Sequence, residues 1–470
     1  MSDYLSRIAC FDTASIRPEE VTGKRIVSTV DIDGEKFRLI FSYSHDVPEM
    51  DRNIAGLISL FPIVNFGLFT RRIRAEFPME RADLQFLTKM LAINNTEVFV
   101  NKICRRRYEF YKKEYLPEES EITLANSIGS NVLEAEGEAR FPAKYAGKRT
   151  GVLLSGGKES LTTFGILTEA GEDPDAFFYN ESGSHWFPAV PSYRHLDGSG
   201  RAFKVWTNTD RFYRWVLRRM KVLDQAAVAR VADTYPVQLF IFPVYLMALL
   251  PLMIERKIGA VYMGNEFDDT REMVPYRGIR HYYGIYDQTA DFEREFNAYL
   301  EQKGIGIRLM SGVYPISASK VEEILVRRYP DLFSLQRSCH SSRIVRGRVI
   351  PCGRCSKCIG VISLILAAGG NPEEINYTRE AVENATKSLL SDRIRLDRDE
   401  VTYLLSMLQK RPVGSARHIE GVHTIPGEKV PFERIDPPVR KKIIAIVNEY
   451  AKGIYELRGD QWVYVQKNSA

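Results

Sequence analysis

Residues 150–167, TGVLLSGGKESLTTFGIL, change character twice within one short run. An apolar stretch of strand type leads into Ser155-Gly156-Gly157-Lys158-Glu159-Ser160, and a helical pattern then runs from about residue 160 to residue 170, stopped by Gly171. A buried strand feeding a glycine turn and a helix is the unit from which parallel sheets are built. The glycines let the backbone turn tightly and bring its N–H groups against an anion. With the hydroxyls of Ser155 and Ser160, the charge of Lys158 and the positive end of the helix, they predict a phosphate cradle. The competing reading is a turn that merely connects strand to helix. The loop is not the P-loop nucleotide motif, because the four-residue spacer and the terminal Gly-Lys-Ser/Thr are missing.

The same rhythm continues downstream. DAFFY, RAFKVW, GAVYMG and GIRLMSGVYPI read as strands, with helices predicted around residues 212–223 and over the apolar run 239–254. Strands alternating with helices predict an α/β fold, a doubly wound and mostly parallel sheet. Ligands of such sheets sit at the carboxyl ends of the strands, so residues just after each strand form the candidate rim. Ahead of this region, residues 1–147 read as an added N-terminal α+β domain. RIVSTV, the Asp33-Gly34 turn and FRLIFSYS suggest a hairpin, and helical spacing follows from residue 53 to about residue 115. Residues 148–376 form the predicted nucleotide domain with its cysteine knuckle, and residues 377–470 a mainly helical C-terminal region.

With 470 residues the chain is too long for one average core. Its 65 basic and 60 acidic residues leave a formal charge of +5, which suits an anionic small-molecule substrate without demanding nucleic acid; tRNA stays open as a partner. The opening MSDYLSRIACFD lacks a basic-then-apolar leader, and the run 239–254 is short for a spanning helix and carries Pro243 and Pro251. No membrane association and a cytoplasmic location are expected. Four of the six cysteines, Cys339, Cys352, Cys355 and Cys358, fall within twenty residues. Four thiolates at this spacing predict tetrahedral, structural zinc, with Gly353 allowing the bend and no open position for water. His340 is a possible substitute ligand; buried thiols, a redox pair or an iron–sulfur cluster are the alternatives.

SGGKES resembles the Ser-Gly-Gly-x-Asp-Ser loop of the PP-loop ATP pyrophosphatase superfamily, with Glu159 where most members carry Asp. The resemblance implies binding of ATP and magnesium, release of pyrophosphate and transfer of AMP to a substrate oxygen. The cysteine knuckle and the segment SGVYPISASKVEEIL also resemble 7-cyano-7-deazaguanine synthases, which are much shorter. Over most of residues 30–425 the order of segments is more similar to the ATP-dependent epimerases acting on UDP-N-acetylmuramoyl-L-alanyl-L-glutamate. The matching segments are FRLIFSYS, the Ser-Gly-Gly-Lys loop, NESGSHW, GNEFDD, the QRSC…CGRCSKC run and RPVGSARHIEGVHT. That likeness implies adenylation of the terminal glutamate carboxylate, followed by inversion at its α-carbon.

The candidate rim supplies groups for such chemistry. Ser155, Gly156, Gly157, Ser160, Asn180 and Glu181 are the expected nucleotide-binding residues, with Ser182 beside them. Lys158, Glu159, Asp268 and Asp269 are the expected catalytic and magnesium-holding groups, with Asn265 and Glu266 adjacent. Arg271, Arg277, Arg280 and His281 are placed to dock a diphosphate or carboxylate. His185, His195 and His418 are candidates for proton transfer, and nothing in the sequence selects one. Other PP-loop chemistries, deazaguanine-synthase-like, tRNA-modifying or amide-forming, are the alternative functions. A zinc-knuckle RNA-binding protein without catalysis is a third reading.

Overall fold

The computed structural model describes residues 3–48, 50–105, 109–138, 145–230, 235–267, 275–339, 341–389, 396–424, 431–458 and 461–466. Ten strands form its main sheet: β1 Phe11–Thr22, β2 Arg25–Ile32, β3 Glu35–Tyr43, β4 Thr70–Ala75, β5 Val132–Ala135, β6 Arg149–Leu153, β7 Asp175–Asn180, β8 Ala202–Thr207, β9 Ile258–Met263 and β10 Arg308–Ser311. Their order is β10-β9-β6-β7-β8-β3-β2-β1-β4-β5. Neighbours from β10 to β8 run parallel, as do β1, β4 and β5. The β1–β2–β3 meander is antiparallel, and β3 pairs antiparallel with β8 through Phe41↔Thr207 and Tyr43↔Val205. The α/β class and the mostly parallel central sheet thus match the sequence expectation. The hairpin read from Asp33-Gly34 is present, and it continues the central sheet.

Alternating side chains carry the sheet's two cores, as a pleated strand requires. On β7, Phe177 faces an apolar cluster shared with Phe41, Phe66, Phe212 and Met247. Its neighbours Ala176 and Phe178 face another, shared with Val152, Ile166, Ile324 and Ile362. Helices Arg52–Leu60, Thr209–Leu217 and Phe242–Glu255 cover the first face, and Lys158–Glu169, Ala318–Arg328 and Ser356–Ala368 the second. A buried polar knot adds to the apolar joint across the first face. The Lys303 ammonium lies 2.9 Å from Asp83 and 3.1 Å from Glu80, and Tyr299 donates to Asp83 at 2.8 Å.

Three local readings differ from the structure. The span read as helical from residue 53 is interrupted by β4, where Ile73 and Ala75 are buried and Arg72 and Arg74 share the opposite, exposed face beside Glu134. Strand β1, which carries Pro18 at a register shift, was not expected. Near the C-terminus, in the region read as mainly helical, the helix Pro437–Asn448 is followed by Ile454–Arg458, which pairs with Gln461–Gln466 and Val422–His423 in a small separate sheet. Among the described residues, the span Arg52–Phe69 is long and apolar enough to cross a membrane, and it is 94% buried inside the fold.

Candidate functional site

The chain goes from β6 to β7 to β8 in one direction, then returns to place β9 on the other side of β6. The strand order therefore reverses between β6 and β9, and a doubly wound sheet opens its crevice there, at the carboxyl ends of the strands. A cavity of about 430 Å³ occupies this position. Ser155, Gly157, Glu159 and Ser160 from the loop after β6 line it, with Glu181 and His185 after β7 and Gly264, Asn265 and Glu266 after β9.

The predicted cradle closes on itself through its hydroxyls. The Ser160 hydroxyl accepts from the Ser155 N–H at 3.3 Å and donates to the Gly157 carbonyl at 3.1 Å. The Gly157 N–H donates to the Ser155 hydroxyl at 3.4 Å. Gly156 has φ +84°, and a Cβ there would lie 2.3 Å from the Pro188 carbonyl oxygen. Gly157 is the N-cap of the helix Lys158–Glu169 without a side-chain cap, so the first-turn N–H groups have no competing side-chain acceptor from that residue. After β9, a Cβ on Gly264 would sit 2.6 Å from the Ser160 backbone nitrogen; only glycine lets the end of β9 approach the first turn of the helix Lys158–Glu169 this closely.

Lys158 is buried beneath the loop, paired with Glu159 and with Glu266, whose carboxylate oxygens lie 2.9 and 2.7 Å from the ammonium. Burial alone would lower this ammonium, but the two carboxylates outweigh it and hold Lys158 above its ordinary value. For Glu159, burial raises and Lys158 lowers, with Lys357 adding to the lowering; the net direction is down. Behind them, burial pushes Glu322 up to about 8, and one of its oxygens accepts from Gln336 at 3.0 Å.

Of the other expected residues, Glu181 lines the cavity, and its carboxylate is 2.6 Å from His185 Nδ1. Asn180 is not on the cavity wall; its side chain accepts from the Ser182 N–H at 2.9 Å and shapes the turn. Arg277, Arg280 and His281 do not line the cavity. Arg277 is at the surface, 2.9 Å from Glu119, and burial, helped by the charge of Arg105, brings His281 down to about 4. In the same loop, Glu97 of the helix Arg81–Glu97 accepts from the N–H groups of Tyr282 and Gly284, both at 2.6 Å. Gly284 lines the cavity. Asp268, Asp269, Arg271 and His340 lie outside the described residues.

Two cationic residues on the wall were missed by sequence reasoning, Arg337 and Lys357. Arg337 is buried and donates to the carbonyls of Ser334, Gln336 and Val349, while its backbone N–H donates to the Gly156 carbonyl at 2.7 Å. Burial brings this guanidinium down to about 10, so it stays charged at neutral pH. Lys357 is the residue between Cys355 and Cys358 that is not a serine, and the cysteine cluster delivers it to the cavity. The signal was present in CGRCSKC, but only as a spacing of cysteines.

The sulfurs of Cys339, Cys352, Cys355 and Cys358 all lie within 4.8 Å of one another and could hold a metal such as zinc. The Cys352–Cys358 separation is 3.7 Å, near the ~3.8 Å edge of a tetrahedron with zinc–sulfur bonds of ~2.3 Å. Gly353, at φ +71°, makes the turn between them. Chelating the metal is expected to release about one equivalent per chain and to unfold the segment 339–358, displacing Arg337 and Lys357 together. Atomic emission before and after chelation, with proteolysis of that segment, checks this; a metal-free protein whose segment resists cleavage would refute it. No protein-family model matches the chain, and no curated protein matches it in sequence.

Proposed function

We propose that this protein is an ATP-dependent, AMP- and pyrophosphate-forming enzyme that adenylates a substrate carboxylate. Its proposed substrate is the terminal L-glutamate of UDP-N-acetylmuramoyl-L-alanyl-L-glutamate, epimerised to D-glutamate. The observation that carries the reading is the hydroxyl-lined loop at the switch-point cavity, with a buried lysine held beneath it between two carboxylates. Backbone N–H groups, Ser155 and Ser160 would take the phosphates, and Arg337 and Lys357 supply positive charge on the same wall. Glu159 and Glu266 offer hard oxygen donors of the kind magnesium takes, and a bound magnesium would offset phosphate charge there.

Activation answers a specific chemical difficulty. Removing the α-proton beside a carboxylate would create a dianion with nowhere to place its charge. As an acyl adenylate the carbonyl becomes an electron sink, so the proton can leave and return on the opposite face. Hydrolysis then gives the inverted glutamate and AMP. Incubation with labelled ATP and the L-glutamyl-terminated nucleotide dipeptide is expected to yield AMP, pyrophosphate and the D-epimer. ADP as product, or AMP formation that requires tRNA instead, would overturn the reading.

A further inference from the structure

We infer that His185, oriented by Glu181, is the base that removes the α-proton of the adenylated amino acid; this deepens the adenylation reading and rests on it. The geometry selects His185 by elimination and by placement. Of the described histidines, His185 alone lines the cavity. His195 is exposed on the helix Val190–Asp197, and His281 and His423 are buried off the cavity wall. His418 lies 2.9 Å from Asp399 and 3.1 Å from His423 in the C-terminal region. The other carboxylates on the wall are already engaged: Glu159 and Glu266 are bound to the buried Lys158 ammonium, and Asp287 accepts from the N–H groups of Ile241 and Phe242 at 2.8 and 2.9 Å.

His185 is built for the role by its neighbours. A carboxylate only accepts hydrogen bonds, so the 2.6 Å contact with Glu181 puts the ring hydrogen on Nδ1 and the basic lone pair on Nε2. Nε2 lies 3.3 Å from the Tyr235 hydroxyl, which in turn reaches Asp210 at 3.5 Å. Asp210 also pairs with Arg214 at 3.1 Å. Burial alone would lower the imidazole, but Glu181, with Asp210 behind it, raises it, while the charge of Lys357 opposes them. The same Lys357 charge acts on Glu159, so one cation is felt at both the loop and the histidine. Phe177, Phe242 and Leu249 line the same cavity and give it an apolar share of wall.

In the step, the Cα–H bond breaks and an Nε2–H bond forms, and the electron pair moves to the carbonyl oxygen of the acyl adenylate. Glu181 stabilises the imidazolium. Water supplies the proton returned to the opposite face of Cα, and the imidazolium releases its own proton to water, so the product carries one solvent hydrogen. Glu181 acts through His185 and is a positioning residue.

The test uses the full-length protein with ATP and the L-glutamyl nucleotide dipeptide in D2O, following two readouts. Pyrophosphate exchange into ATP reports adenylation, and α-deuterium in the recovered substrate and product reports proton transfer. His185→Gln, which keeps a donor to Glu181, is expected to cut deuterium incorporation at least about 100-fold while pyrophosphate exchange falls less than about tenfold. Glu181→Gln is expected to move the midpoint of the pH–exchange profile to lower pH, because the group that raises the imidazole has gone. Deuterium incorporation retained in His185→Gln would overturn the inference and leave adenylation standing. Wild-type protein without pyrophosphate exchange would instead overturn the adenylation reading and, with it, this role. An unmoved profile in Glu181→Gln would remove Glu181 from the pair.

Discussion

Replacing Gly156 by alanine is expected to cost about 2–5 kcal/mol of stability and to abolish ATP turnover. Two costs add. The residue sits at φ +84°, where a side chain costs about 1–2 kcal/mol. The new Cβ would also lie 2.3 Å from the Pro188 oxygen, 2.9 Å from its carbonyl carbon and 3.1 Å from the Ala189 Cα. These are backbone atoms of the short helix Ser184–Ala189, so they yield only by moving that segment, and overpacking of this kind costs about 1–3 kcal/mol. The displacement would reach the loop, through the Arg337 N–H bond to the Gly156 carbonyl, and the segment that bears His185. Gly157→Ala is the informative comparison. Its φ is −82°, and its Cβ would meet only the tip of the Glu159 side chain, at 2.8 Å, rather than backbone, so it should cost about 1–2 kcal/mol, less than Gly156→Ala. Denaturant unfolding of both variants, with pyrophosphate release, checks the pair; a Gly156→Ala protein as stable as wild type would show that the loop is not packed against residues 188–189.

Lys158→Met is expected to destabilise the fold by about 3–5 kcal/mol near neutral pH, because it strips the counter-charge from Glu159 and Glu266 in a buried site. The pH dependence gives the sharper signature. In the wild type, Glu159 is held down, so its contribution is present above the unfolded carboxylate value and is lost as pH falls through the lower folded value. Lys158 is held up, so its contribution is present below the unfolded lysine value and is lost only as pH rises through the higher folded one. Both are therefore in force at pH 7. In the methionine variant burial, which raises Glu159, is opposed by Lys357 and no longer by Lys158, and protonation relieves the site. The difference in unfolding free energy between wild type and variant should shrink from pH 7 toward pH 4. A constant difference across that range would mean that Lys158 contributes packing rather than charge.

Several of the site's features were legible as local patterns. The strand–loop–helix unit at residues 149–169 could be read because strand, turn and helix preferences all agree within one short segment. The cysteine cluster could be read because thiol spacing is itself the constraint that metal binding imposes. At residues 275–284 local pattern, arginines in a loop, suggested anion docking, whereas Arg277, Arg280 and His281 do not line the cavity. Glu97, well over a hundred residues earlier, holds the backbone of Tyr282 and Gly284 in this loop, and Arg277 pairs with Glu119. Asn65 acts similarly, accepting from the N–H groups of Leu239 and Phe240 at 3.0 and 2.9 Å and so fixing the apolar wall.

By itself the sequence determined the parts: an α/β chain, a glycine loop opening a helix after a buried strand, and four thiolates close enough along the chain to share a metal. These follow from backbone preferences and side-chain period, which act over a few residues. The tertiary structure alone decided that β3 joins β8, so that the leading strands extend the central sheet, and that β9 turns back beside β6 to open the cavity. It also decided which charges meet there: Lys158 with Glu266, Glu181 with His185, and Lys357 carried in by the cysteines. Such pairings depend on strand order and on the burial of groups distant in sequence, and no local period records either.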